Sequence, residues 1–174
     1  MITFQTEDIE MPAINEEQVR EWIKAVAASY GKRVGPISYF FCSDQRILEV
    51  NLEYLQHDYY TDIITFDYCE GHRLSGDIFI SLDTVRSNAE MLNQPYEREL
   101  HRVIIHGILH LCGINDKGPG EREIMEAAEN KALGILFFIN HEFTEFIELY
   151  LLDENNNFTS RRVIPDNRGS HGSS

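Results

Sequence analysis

His106-Gly107-Ile108-Leu109-His110-Leu111-Cys112-Gly113-Ile114-Asn115-Asp116 is the stretch that orders the rest of this 174-residue chain. Leu100, Val103, Ile104, Gly107, Ile108 and Leu111 recur at intervals of three and four, which predicts one apolar face of a helix. Pro95 suits the first turn of that helix and Gly113 suits its C-cap. His106 and His110 then stand one turn apart on a shared face, the spacing by which two imidazoles reach one metal ion. Gly113 can turn the chain back, so that Asp116 adds a carboxylate from the following loop. Two imidazoles and a carboxylate suit Zn²⁺, with a fourth position for water, and other divalent ions accept the same donors.

Around this helix, four runs rich in β-branched and aromatic residues predict short strands: Ile2-Thr3-Phe4-Gln5, Ile37 to Cys42, Ile63-Ile64-Thr65-Phe66 and Ile78-Phe79-Ile80. Asn15 with Gln18 forms a capping-box pattern ahead of a helix carrying Val19, Trp22, Ile23 and Val26, and Gly31 ends it. Ser43 or Asp44 can cap a second helix that carries Ile47, Val50, Leu52 and Tyr54. Further helices are expected from about Asp83 to Leu92 and after Pro119, the latter with Ile124, Met125, Ala128 and Leu133. Strands alternate with helices, though not strictly. That pattern predicts a single α+β domain over residues 1–133, with a small, mixed, mostly parallel sheet packed by helices. Residues 134–152 read as an amphipathic helix, and residues 153–174 as a flexible tail whose end from Arg168 has the look of a vector-derived addition.

Hydrophobic residues make up 43% and charged residues 25%, the composition of a folded globular chain. With 15 Lys+Arg against 29 Asp+Glu, the net charge of −14 excludes a bulk nucleic-acid coat, and any RNA must meet a local basic patch. Cys42, Cys69 and Cys112 are too few for a disulfide framework and point to a reducing cytoplasm. The N-terminus lacks the basic and apolar pattern of a signal peptide. The most apolar run, Gly134 to Leu152, carries Glu142, Glu145 and Glu148, each costing about 2.5–3.5 kcal/mol at a bilayer centre, so no membrane partner is expected.

The pattern H-x-x-x-H-x-x-G-x-x-D has the spacing of the metzincin protease motif. In those proteases the residue after the first histidine is the glutamate that acts as general base. Here it is Gly107, which cannot take a proton, so a metzincin-like protease is the second reading. The first is metal-assisted hydrolysis of a phosphodiester, in which the ion polarises a phosphoryl oxygen and acidifies water without a dedicated base.

The same residues resemble the YbeY family of bacterial endoribonucleases, whose motif is H-G-x-L-H-L-x-G-Y-D-H. Asn51-Leu52-Glu53-Tyr54 followed by Asp58 to Phe66 is similar to the family's N-x-x-[YF]-R-x-x-D-x-x-T-D-V-L-S-F, and Gly76-Asp77-Ile78-Phe79-Ile80-Ser81 to its G-D-I-x-I-S strand. The resemblance covers roughly residues 1–133. It implies a zinc-type site, one ion per chain, and cleavage of single-stranded RNA in 16S rRNA 3′-end maturation and ribosome quality control. It thereby implies RNA and the ribosome as partners and no DNA substrate, and the net charge of −14 adds a basic ribosomal protein as the partner expected to place the chain near rRNA. The chain departs from the family at Asp116, where the family has a third histidine, and at Ile114-Asn115, where it has Tyr-Asp. It departs again at Leu55, where the family has an arginine suited to phosphate. His57, Arg86, Arg102 and Lys117 are the candidates to replace that arginine. A non-catalytic assembly factor with a structural metal is the third reading.

The expected site is therefore His106, His110 and Asp116 as metal ligands, acting in catalysis through the ion. Arg102 and Lys117 are expected at phosphate, within a basic strip that also takes in Arg86 and Arg122. Glu99, Asp62 and Asp77 are candidates to orient a ligand, each with a structural alternative as a helix-start acid or turn cap. Cys112 lies about 200° round the helix from His110 and is expected to face the core.

Overall fold

Alternation along Ile2–Thr6 (β1), Arg33–Cys42 (β2), Ile63–Asp67 (β3) and Arg73–Ser81 (β4) puts Ile2, Phe4, Ile37, Tyr39, Phe41, Ile78 and Ile80 on one buried face of a sheet. The structure is a computed structural model that describes residues 1–56 and 61–156, with side chains up to residue 141. The chain divides into two compact units, Met1–Phe137 and Phe138–Ser174, and the sheet lies in the first. His57 and residues 157–174 of the expected tail lie outside the described residues.

The strand order is β1-β2-β4-β3. β2 runs parallel to both β1 and β4, and β3 closes the edge antiparallel to β4, giving the mixed, mostly parallel sheet expected of an α+β domain. Two strands are longer than their apolar cores. β2 starts at Arg33, and its register slips between Val34 and Ile37, around Pro36, which has no N–H to give. β4 starts at Arg73, because main-chain pairing to β2 and β3 carries its polar first half.

Three of the helices begin where short polar side chains accept main-chain N–H groups. Asn15 Oδ1 accepts from Gln18 N at 3.1 Å and starts Glu16–Ser29 (α1). Ser43 Oγ accepts from Arg46 N at 3.2 Å and starts Asp44–Val50 (α2). Ser81 Oγ accepts from Thr84 N at 3.2 Å and starts Leu82–Met91 (α3). α2 does not continue regularly through Tyr54. It widens into a π-helical turn, Asn51–Leu55, which leaves Leu52 and Tyr54 exposed. Tyr96–Leu111 (α4) starts one residue after Pro95. Glu121–Asn156 (α5) takes in the stretch read as a separate amphipathic helix.

α1 and α4 cover the buried sheet face. Trp22 and Ile23 from α1 and Leu100, Ile104 and Ile108 from α4 are almost wholly buried against it. The Tyr39 hydroxyl donates to the Ile104 carbonyl at 2.8 Å, pinning the middle of α4 to β2. Gly107 sets the depth of this contact. A Cβ there would stand 3.0 Å from Ile78 Cδ1 and 3.2 Å from Ile63 Cδ1, so the glycine lets α4 lie directly on β4 and β3. Among the described residues, no helix is long and apolar enough to cross a membrane.

Candidate metal centre

α4 presents His106 and His110 side by side, with ring centroids 4.9 Å apart and planes at 81°. Beyond the last turn, Gly113 takes a φ of 98°, a left-handed conformation that favours glycine. The chain turns back there and carries Asp116 across both rings. Asp116 Oδ2 lies 3.3 Å from His106 Nε2, and its Oδ1 lies 3.4 Å from His110 Nε2. One ligand atom from each of the three residues lies within 4.8 Å of the others, so the cluster can bind a metal ion.

The donor chemistry supports that reading. Asp116 Oδ1 is buried and accepts no hydrogen bond from any described residue. A buried carboxylate oxygen without a hydrogen bond costs about 1–3 kcal/mol, which an imidazole nitrogen at 3.4 Å offsets only in part. With Oδ1 facing His110 Nε2 and Oδ2 facing His106 Nε2, the carboxylate completes a donor set that a divalent cation satisfies.

Around this cluster lies a cleft of about 990 Å³. Its lining includes the carboxylates of Asp62, Glu99 and Glu129 and the cations of Arg98, Arg102, Lys117 and Arg122. Burial pushes the Glu99 and Asp62 carboxyls above their ordinary range, and for Asp62 the charge of His106 works partly against this. Burial pulls the His106 imidazole down, but the hydrogen bond and charge of Glu129, with Asp116 and Asp62, outweigh it and leave the group raised. His110 is lowered, first by burial and then by the neighbouring His106.

The structure brings His106, His110 and Asp116 together and sorts the remaining candidates. Lys117 is exposed beside Asp116 on the cleft wall. Arg102 also lines the cleft, with Nη1 donating to Glu129 Oε1 at 3.0 Å and Nη2 to Asn130 Oδ1 at 2.7 Å. Arg86 is not part of a basic strip at the site. Its guanidinium lies over the Tyr96 ring, 4.9 Å from the centroid, because α3 carries it onto the start of α4. Arg98 lines the cleft instead, a residue that sequence reasoning passed over. Asp77 lies on β4 and accepts from the Tyr68 hydroxyl at 3.4 Å, a contact within the β3–β4 edge. Cys112 is half-buried, and burial pushes its thiol up to about 11, an inert state.

The carboxylate that meets the His106 imidazole is Glu129 on α5, whose Oε2 lies 2.8 Å from His106 Nδ1. Glu99 was the candidate from sequence; it is buried near Arg102, Asp62 and Glu129. Glu129 lies 23 residues past His106, inside no recognised spacing, so only the packing of α5 on α4 identifies it.

Comparison with known proteins adds an independent line. The family model described as Endoribonuclease YbeY matches residues 1–136. The Endoribonuclease YbeY of Phocaeicola vulgatus is 76% identical over 136 residues, covering 78% of this chain and 99% of the relative. That of Porphyromonas gingivalis is 58% identical over 135 residues, covering 78% of this chain and 89% of the relative. A Thermotoga maritima protein solved in solution shares the fold with a TM-score of 0.59 at 26% identity, over 82% of this chain and 93% of that one.

Proposed function

This chain belongs to the YbeY family of endoribonucleases, and we propose that it cuts single-stranded RNA with a bound divalent ion, zinc first, in maturation of the 16S rRNA 3′ end. It is an endoribonuclease, a hydrolase of RNA phosphodiester bonds. The observation that carries the metal reading is the orphaned Asp116 Oδ1 facing His110 Nε2 at 3.4 Å, inside the cleft that also holds His106. His106 and His110 would hold the ion through Nε2, and Asp116 through its carboxylate. When bound, such an ion supplies Lewis-acid polarisation of a phosphoryl oxygen and a more acidic water.

The chain's own groups do the rest. Lys117, exposed beside Asp116, offers an ammonium to a phosphate at the cleft wall. Arg102 sits deeper, with two nitrogens engaged, and offers phosphate only its remaining N–H edges. Gly107 supplies no base in the protease position, and its Cα faces Ile78 and Ile63 of the sheet, where a Cβ would already be in tight contact. This favours the nuclease over the metzincin-like protease.

The net charge of −14 supports a basic ribosomal protein, rather than long-range attraction to RNA, as the partner that brings the enzyme to rRNA in the cytoplasm. The test is metal content of protein purified without a nickel column, followed by cleavage of a single-stranded RNA oligonucleotide. Wild type should carry one equivalent of metal and cut the RNA, and His110→Ala should lose both. Metal retention without cleavage by wild type would replace this reading with the assembly factor that carries a structural ion.

A further inference from the structure

Glu129 is a buried carboxylate, 8% exposed, with a different partner at each oxygen. Its Oε1 accepts from Arg102 Nη1 at 3.0 Å, and its Oε2 lies 2.8 Å from His106 Nδ1. A carboxylate paired with a guanidinium is an acceptor at both oxygens, so the His106 nitrogen facing it is the donor. A neutral imidazole with its proton on Nδ1 has its lone pair on Nε2, the atom 3.3 Å from Asp116 Oδ2. Arg102 is itself fixed by its second bond, to Asn130 Oδ1 at 2.7 Å.

We infer that Glu129, backed by Arg102, is a positioning residue that holds His106 in the Nδ1–H tautomer and turns its Nε2 lone pair toward His110 and Asp116. The residue touches no reacting atom in this arrangement. It acts on which nitrogen of the ring is free and on where the ring points. Carboxylates of this kind orient ligand imidazoles in metal sites generally, and their loss costs about 10–100-fold in metal affinity. The inference deepens the metal reading of the same site and rests on it for that consequence.

Glu129→Gln is nearly isosteric and reverses the arrangement. Arg102 still needs an acceptor, so the amide oxygen faces it and the amide nitrogen faces His106. That nitrogen donates to Nδ1 and forces the ring proton onto Nε2. The experiment is ¹⁵N NMR of the imidazoles in metal-free protein, at a pH where both are neutral, with zinc affinity measured by competition against a chromophoric chelator. Wild type should show His106 as Nδ1–H, and Glu129→Gln should show Nε2–H with zinc bound about 10–100-fold more weakly. Glu123→Gln, on the exposed side of α5, should match wild type in both.

An Nε2–H ring in folded wild type overturns the inference, and this result does not depend on whether the variant folds. An unchanged tautomer in folded Glu129→Gln overturns it as well, whatever happens to zinc. If wild type takes up no zinc, the metal reading fails separately while the tautomer still decides the role of Glu129.

Discussion

Trp22 Nε1 donates a hydrogen bond to the main-chain carbonyl of Ala132 at 2.8 Å. The indole is fully buried, and its acceptor lies less than one turn beyond Glu129 on α5. α1 therefore fixes the part of α5 from which Glu129 reaches His106.

Trp22→Phe keeps an aromatic ring but removes the donor and some volume. The expected loss is about 2 kcal/mol of stability, from the broken bond and the cavity together. Urea unfolding measures it. Zinc affinity should fall as well, by less than in Glu129→Gln, because the helix is loosened and the carboxylate is kept.

Asp116→Asn should act in opposite directions with and without metal. An amide can donate to an imidazole nitrogen, which relieves the orphaned acceptor. Metal-free Asp116→Asn should be more stable than metal-free wild type, by about 1 kcal/mol. Its melting temperature should no longer rise when zinc is added. Thermal unfolding with and without zinc reads both effects, and an unchanged rise would remove Asp116 from the ligand set.

His101 sits edge-on to Trp22, with ring centroids 5.8 Å apart, and burial lowers its pKa from the ordinary 6.5, partly opposed by Glu97. The unfolded chain binds this proton more readily than the folded one. Stability is therefore fully present above the unfolded value and falls as pH drops through 6.5 toward the lowered folded value. His101→Gln should flatten that part of the curve. The difference between wild-type and variant urea midpoints, followed from about pH 7.5 to about pH 5, isolates the His101 contribution.

Gly76→Ala should be the most damaging glycine substitution in the sheet. Its Cβ would overlap the Phe66 carbonyl oxygen, a main-chain atom of β3 that cannot swing aside. The expected cost is about 1–3 kcal/mol or more, with β3 pushed off β4. Gly107→Ala meets only side-chain methyls of Ile78 and Ile63, which can yield, and gains about 1 kcal/mol of helix propensity, so its net effect should be smaller. Denaturant unfolding of both variants ranks them.

Local chemistry made much of this readable in advance. Asn15 and Ser43 announced their helices because a short polar side chain before an apolar period is a cap. The α4 stripe was visible because one face must be apolar to lie on the sheet, and the His106, His110 and Asp116 spacing followed from that helix and the turn at Gly113. Other features depend on partners distant in sequence. The polar start of β4 is a strand because β2 and β3 supply its main-chain bonds. The π turn after Val50 interrupts a pattern that reads as continuous helix. Arg86 and Arg98 exchange roles at the cleft because α3 aims one at Tyr96 and α4 aims the other at the site. Glu129 belongs to the same class, since its meaning comes from a helix packing on a helix.

The parallel pairing of β2 with β4 also bears on how the enzyme is made. Ser38 meets Asp77, and no hairpin can close such a pair. The chain must close a loop through α2, the π turn and β3 to pair these strands, and a closure of that span is expected to place refolding toward the milliseconds-to-seconds range. A nascent chain that has only just emitted His106 and His110 has the two imidazoles but neither Asp116 nor the α5 segment bearing Glu129. On the proposed metal reading the site is completed late in synthesis, and a truncated chain released before α5 is expected to bind zinc more weakly than the full chain.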